Sequence, residues 1–224
     1  ALTVDLSVTF IGTAASVPTR TRGTAATLIA RGGERWLVDC GEGTQRQLLR
    51  AGLGLVDVDL ILLTHLHADH VLGLPGLLKT YGLRGRERAL RIVGPAGLRA
   101  FVDRLGGIMG RTQFPCDIAE VKAGVVHDGA GAVIEAFHTD HGVPSLGYAV
   151  LEDDRPGAFD VAAAERLGVP AGPLFGQLQR GQAVTLPGGV DIHPEQVLGE
   201  ARDVALAEMQ KRAEAQGLTL QGRS

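Results

Sequence analysis

Three histidines and an aspartate, His65, His67, Asp69 and His70, fall within six consecutive positions, directly after the run Leu60-Ile61-Leu62-Leu63-Thr64. Such an apolar run reads as a strand buried on both faces. In extended chain alternate side chains share a face, so His65 and His67 face one direction. That spacing suits one metal ion gripped by two imidazoles at a strand end. Asp69 and His70 follow as the chain turns toward a helix, where they can reach a second ion beside the first. Imidazole and carboxylate are ligand types that Zn²⁺ accepts. An isolated histidine is ordinarily a satisfied or solvated side chain, but packing does not call for repeated histidines after a buried strand. The cluster therefore reads as a metal site.

The elements that must hold these residues are legible from periodicity and turn chemistry. Asp5 to Ile11 reads as a first strand, ended by Gly12-Thr13. Thr24 to Ala30 and Arg35 to Asp39 read as two more, joined through Arg31-Gly32-Gly33-Glu34. Thr44 to Ala51 is a helix that Gly52 is placed to stop. After the histidine strand come a helix over Leu72–Tyr81, a strand over Leu90–Val93 and a helix over Ala96–Leu105 opened by Pro95. Ile118–Lys122, Ala132–Phe137 and Leu146–Leu151 read as further strands. Strands mixed with interspersed helices predict a layered α/β architecture.

From Glu152 to Gly199 glycine and proline punctuate short apolar patches. A long turn-rich stretch of that kind is usually an insertion or a functional loop. Phe159, Leu167, Val169, Leu174 and Phe175 supply apolar anchors enough for a small module rather than a disordered linker. Ala201 to Gln216 alternates charges with Ala, Leu and Met at helical spacing, which predicts a last helix.

A chain of 224 residues predicts one large domain, residues 1–224, with 152–199 inserted as an arm. Aromatic residues make up only 4% of the chain, so the core must be mostly Leu, Val, Ile and Ala. Two cysteines, Cys40 and Cys116, predict no disulfide framework and fit a reducing compartment. No apolar run approaches a membrane span and the amino terminus lacks a secretory pattern, so a soluble cytoplasmic protein is expected. A net charge of −3 argues against indiscriminate nucleic-acid binding. Charge is uneven, however: Lys79, Arg84, Arg86, Arg88, Arg91, Arg99, Arg104 and Arg111 face only Glu87 and Asp103 within one segment. Two readings stand there, a solvated helix face and a phosphate-facing patch.

His65-x-His67-x-Asp69-His70 after a buried strand resembles the signature of the metallo-β-lactamase fold superfamily. Neighbouring blocks narrow the resemblance to ribonuclease Z, which trims the 3′ trailer from precursor tRNA. Phe10-Ile11-Gly12-Thr13-Ala14-Ala15-Ser16-Val17-Pro18 looks like that family's first strand and loop. Asp39-Cys40-Gly41-Glu42-Gly43-Thr44-Gln45-Arg46-Gln47-Leu48 looks like its second block, and Leu72-Gly73-Leu74-Pro75-Gly76-Leu77 continues the metal motif. His141-Gly142-Val143-Pro144-Ser145-Leu146-Gly147-Tyr148 resembles the block with the next ligand, His141; His138, three positions earlier, is the competing candidate. Leu167-Gly168-Val169-Pro170-x-Gly172-Pro173-Leu174-Phe175-Gly176 resembles the flexible arm that grips the tRNA body.

The resemblance implies a metallo-β-lactamase fold, an αββα sandwich with an inserted flexible arm. It implies zinc-dependent hydrolysis of a tRNA phosphodiester, His65, His67, Asp69, His70 and His141 as metal ligands, and Asp69 as proton acceptor too. It also implies a homodimer in which one subunit's arm presents tRNA to the other's site. The family pattern would continue after Leu198-Gly199-Glu200 into a strand ending in Gly-Asp-Thr, whose Asp bridges two metals, and on to a further ligand His. Here neither follows, and Asp203 and Glu208 have no spacing that recommends them as substitutes. The expectation is therefore a shortened second half with one ion firmly held. Two rival readings accompany it: a hydrolase of small esters or lactones, and a catalytically inactive tRNA-binding subunit.

Overall fold

Leu60–Leu62 forms strand β5, and all three residues are buried because the strand is covered on both faces and paired on both sides. The computed structural model describes residues 6–55, 57–129, 131–152 and 157–199. The helix expected over Ala201–Gln216, the start of the first strand at Asp5, and Asp203 and Glu208 lie outside the described residues.

Residues 6–150 are built on a seven-stranded sheet in the order β2-β1-β3-β4-β5-β6-β7. Its strands are β1 (Leu6–Ala14), β2 (Gly23–Thr24), β3 (Ala26–Arg31), β4 (Glu34–Val38), β5, β6 (Leu90–Gly94) and β7 (Cys116–Glu120). From β4 onward neighbouring strands run parallel, with Leu37 opposite Ile61 and Ile61 opposite Ile92. A second sheet, β10-β9-β8, comprises β8 (Gly124–Gly129), β9 (Ala132–His138) and β10 (Leu146–Glu152).

The period-two pattern sorts side chains between layers. Trp36, Leu60, Leu62 and Val93 pack against Val126, Ala132, Ile134 and Ala136 of the second sheet. Their neighbours Leu37, Ile61, Leu63 and Ile92 point the opposite way, onto Leu48, Val71, Leu74, Leu77, Leu78, Tyr81 and Leu98. Those belong to α1 (Thr44–Arg50), α2 (Ala68–Val71), α3 (Leu74–Leu83) and α4 (Leu98–Met109). Helix, sheet and sheet thus stack in layers with apolar side chains filling both interfaces.

Several elements differ from the sequence reading. β1 does not end at Gly12-Thr13; it bulges there and gains β2 as a parallel partner, Gly12 opposite Gly23 and Ala14 opposite Thr24. The helix expected over Leu72–Tyr81 is α3, which begins at Leu74 and is preceded by the short α2; between the two, Gly73 lies against the backbone of Cys40 and Gly41. α4 starts at Leu98 rather than Ala96, where the Glu120 carboxylate accepts from the Gly97 and Arg99 N–H groups at 3.0 and 2.8 Å. β7 starts at Cys116 rather than Ile118. β8, which carries Gly124, His127, Asp128 and Gly129, has little intrinsic strand preference and forms by pairing with β9.

Residues 151–199 form a separate compact unit. It contains α5 (Val161–Arg166), α6 (Pro173–Gln179), a hairpin of β11 (Val184–Leu186) and β12 (Val190–Ile192), and a 3₁₀ turn at Pro194–Gln196. Ala164, Val169, Leu178, Val184, Ile192 and Val197 make its core, with Phe159, Leu167, Leu174 and Phe175 packed round it. Its two ends are joined: Asp160 N–H donates to the Val197 carbonyl at 2.7 Å and Gly199 N–H to the Ala158 carbonyl at 3.0 Å.

Candidate metal centre

The chemistry-bearing residues stand on loops where strands end. β4 delivers Asp39, β5 delivers Thr64 and His65, and the loop from β9 to β10 delivers His141. The carboxyl ends of parallel strands are where such sheets ordinarily present ligands. His65 and His67 lie in the irregular stretch after β5, and His67 is the residue from which α2 begins. Asp69 and His70 sit within that four-residue helix. The segment is therefore an irregular stretch followed by a short helix rather than a continuing strand, and it still turns His65 and His67 toward one another.

His65, His67 and His141 each offer a ligand atom, and those atoms all lie within 4.8 Å of one another. Ring centroids of His65 are 4.6 Å from His67, 4.4 Å from His141 and 4.0 Å from His70. His138 ends β9, is exposed and stands outside this three-histidine group. The loop carrying His141 is closed by Ser145, whose hydroxyl donates to the Thr139 carbonyl at 2.8 Å. β10 is tied to the histidine loop by Leu146 N–H on the Thr64 carbonyl and by Tyr148 Oη on the Leu63 carbonyl, both 2.8 Å.

Asp39, to which the sequence alone gives no role, orders half the site. It is buried, in left-handed backbone (φ 59°), directly after β4. Its carboxylate accepts from Thr64 N–H at 2.8 Å and from His70 Nδ1 at 2.7 Å. That bond places the imidazole proton on Nδ1 and leaves the Nε2 lone pair of His70 free, 3.6 Å from Asp69 Oδ2. The Thr64 hydroxyl lies 3.0 Å from both Asp39 oxygens and 3.0 Å from His65 Nδ1. A carboxylate only accepts, so the hydroxyl donates to Asp39 and accepts from His65, which frees His65 Nε2 as well. The available signal was a carboxylate at the end of one buried strand beside another strand bearing ligands.

Electrostatics match a site for a cation. Burial, reinforced by His70 and His141, holds the His65 imidazole down to about 4, so it is neutral at pH 7. Burial works to raise Asp69, but the Ser16 N–H at 2.9 Å on Oδ2 and the nearby imidazoles hold its carboxyl below the usual range. The Asp39 hydrogen bond raises His70 against an opposing effect of burial. A neutral imidazole at His65, an imidazole at His70 oriented by Asp39 and the Asp69 carboxylate make a donor set that a Zn²⁺ ion accepts. The donor set fits the metal.

The basic segment is largely occupied with its own fold. Arg86 is buried, stacked over Tyr81 and Phe114 with its guanidinium 5.1 and 5.5 Å from the ring centres, and donates to the carbonyls of Arg88 and Ala89. Arg88 pairs with Asp59, Arg91 with Asp117, and Arg84 and Arg99 donate to the carbonyls of Leu55 and Ile118. Those bonds favour the structural reading of these cations over a phosphate patch.

The chain is a layered α/β sandwich whose strand ends gather three imidazoles that could hold a metal ion, beside an aspartate–histidine pair. The chain belongs to the metallo-beta-lactamase superfamily, whose family model matches residues 19–174. It is 47% identical over 199 residues to a protein of Methanosarcina acetivorans named Ribonuclease Z, and 42% identical over 198 residues to one of the same name from Myxococcus xanthus. Those alignments cover 88% of this chain but 65% and 64% of the relatives, so the chain spans less than two thirds of their length. Among solved structures it resembles the short form of human tRNase Z, with TM-score 0.59 and 35% identity over 65% of this chain and 64% of that one. The metallo-beta-lactamase fold protein YhfI of Bacillus subtilis shares the fold, at TM-score 0.53 and 23% identity.

Proposed function

We propose that this chain is a ribonuclease Z-type metal-dependent endonuclease, acting on precursor tRNA to remove the 3′ trailer by phosphodiester hydrolysis. One observation carries the reading: a three-histidine group with an adjoining Asp69–His70 pair, in a chain 47% identical to a protein named Ribonuclease Z. In this reading His65, His67 and His141 hold one zinc ion and Asp69 and His70 hold a second. Bound zinc supplies positive charge for the phosphoryl oxygens and lowers the pKa of water. His65 is neutral and its Nε2 is turned free by Thr64, so it binds without first losing a proton. Asp69, ionised and steadied by the Ser16 N–H, is the proton acceptor for the attacking water. The unit 151–199 is the clamp for the tRNA body, and the working form is a cytoplasmic homodimer in which each clamp serves the other subunit's site.

The five proposed ligands are unequally divided between the ions. Three imidazoles suffice to retain zinc, whereas one carboxylate and one imidazole leave an exchangeable ion. The 224-residue chain by itself is therefore expected to hold one ion tightly. Metal content and cleavage of precursor tRNA, measured on the same preparation, test the whole reading. Zinc-dependent trailer cleavage supports it, tRNA binding without cleavage favours an inactive tRNA-binding subunit, and hydrolysis of small esters or lactones without tRNA binding overturns it.

A further inference from the structure

We propose that Ser16 is a positioning residue for Asp69: its peptide N–H, aimed by a left-handed turn, fixes the carboxylate and thereby sets how firmly Asp69 and His70 hold their ion. The proposal rests on the reading that these two residues bind metal. Among the described residues only Ser16 (φ 58°) and Asp39 (φ 59°) are non-glycine residues with left-handed backbone. Each contacts one member of the pair, Asp39 through His70 Nδ1 at 2.7 Å and Ser16 through Asp69 Oδ2 at 2.9 Å. L-residues adopt this conformation at a cost, and it persists where the surroundings over-determine it.

Ser16 gains nothing from burial that would explain the cost, since it is exposed. What the turn secures is the direction of its N–H. The loop is braced for that purpose at several points. Val17 N–H donates to the Ala15 carbonyl at 2.6 Å, Thr19 N–H to the Arg22 carbonyl at 2.9 Å, and Arg22 N–H to the Thr19 hydroxyl at 3.0 Å. Gln47 Nε2, from α1, donates to the Thr21 carbonyl at 3.3 Å. Ser16 N–H thus does for Asp69 what Asp39 does for His70, and the two metal-facing groups are each set by a residue at the end of a strand.

The test replaces Ser16 by its α-hydroxy acid, which turns the N–H into an ester oxygen and keeps the side chain, and titrates the metal-free protein with cobalt(II) followed by visible absorption. The unaltered chain is expected to show a tight and a weaker binding event. The ester variant should weaken the second by about tenfold or more, the scale of lost second-layer support, with the first unchanged. Ser16→Gly, which keeps the N–H and relieves the left-handed strain, should retain the second event. Equal second-ion affinity in the ester variant and the unaltered chain overturns the proposal, as does loss of both ions, which would mark Ser16 as a folding residue. Absence of any second event in the unaltered chain overturns the two-ion reading itself, and the proposal with it.

Discussion

At the scale of single residues, the site depends on which imidazoles are neutral and where their lone pairs point. His65 carries this most clearly, since burial and the flanking imidazoles depress it to about 4 against an ordinary value of 6.5. Below pH 6.5 the unfolded chain takes up a proton on His65 that the folded chain refuses. In the metal-free protein that group's contribution is therefore complete at neutral pH, is lost as pH falls from about 6.5 toward about 4, and changes no further below that. His70 works in the opposite sense: raised by Asp39, it stabilises the fold at low pH and loses that contribution as pH rises through its folded value. Comparing urea unfolding of the unaltered chain with His65→Gln between pH 7 and pH 4, in chelator, isolates the first effect. The difference between the two should shrink toward pH 4, and a difference that grows on acidification would contradict the assignment. His67→Ala should remove most bound zinc. At zinc 100-fold above its dissociation constant it should also remove about 2.7 kcal/mol of zinc-dependent stabilisation. Unchanged zinc content in that variant would exclude the three-histidine ion.

At the scale of elements, the loop after β4 and the turn between α2 and α3 must touch backbone to backbone. Cys40 N–H donates to the His70 carbonyl and Gly73 N–H to the Cys40 carbonyl, each at 2.8 Å. A Cβ on Gly41 would overlap the Asp69 carbonyl and the Thr24 hydroxyl, and one on Gly73 would overlap the Gly41 carbonyl. Gly41→Ala should therefore cost about 1–3 kcal/mol, typical of overpacking, and loosen Asp69 and His70 together. A thermal melt with zinc titration reads both, and an unchanged melt would show that the loop yields freely. The unit 151–199 has a core of its own, and every proposed metal ligand lies before residue 142. Deleting Asp160–Arg180 is expected to leave zinc content intact while weakening tRNA binding; loss of zinc would make this segment part of the site's support.

At the scale of the whole molecule, the question is how many ions the chain retains. The unequal division of the proposed ligands predicts about one zinc retained after dialysis, and cleavage of precursor tRNA that rises as free zinc refills the Asp69–His70 site. Two firmly bound ions after dialysis, or cleavage indifferent to added zinc, would sink this expectation. Elemental analysis after dialysis, beside a trailer-cleavage assay, decides it.

Much of the architecture was legible locally. Leu60 to Leu62 announced a doubly covered strand, and Thr44–Arg50, Glu34–Val38 and Ala132–His138 lie within a residue or two of where periodicity put them. The residue types after β5 announced metal chemistry, because imidazoles and a carboxylate at that density have no packing role. What only the tertiary structure decided was of a different kind. Strand β8, whose own residues favour it little, forms against the adjacent β9, and β2 pairs in parallel with β1 across the loop between them. That the helix expected from Leu72 begins only at Leu74 goes with the close approach of Gly73 to Gly41, 32 positions earlier. The sequence blocks favoured His141 over His138, and the fold groups His141 with His65 and His67 while His138 ends β9; Asp69 and His70 fall in a short helix of their own. Asp39, Thr64 and Ser16 stand 25 to 53 positions from the groups they orient, apart from Thr64 beside His65. Hydrogen-bond direction across such separations has no periodic signature, so residue order could name candidate ligands while only folding could show what aims them.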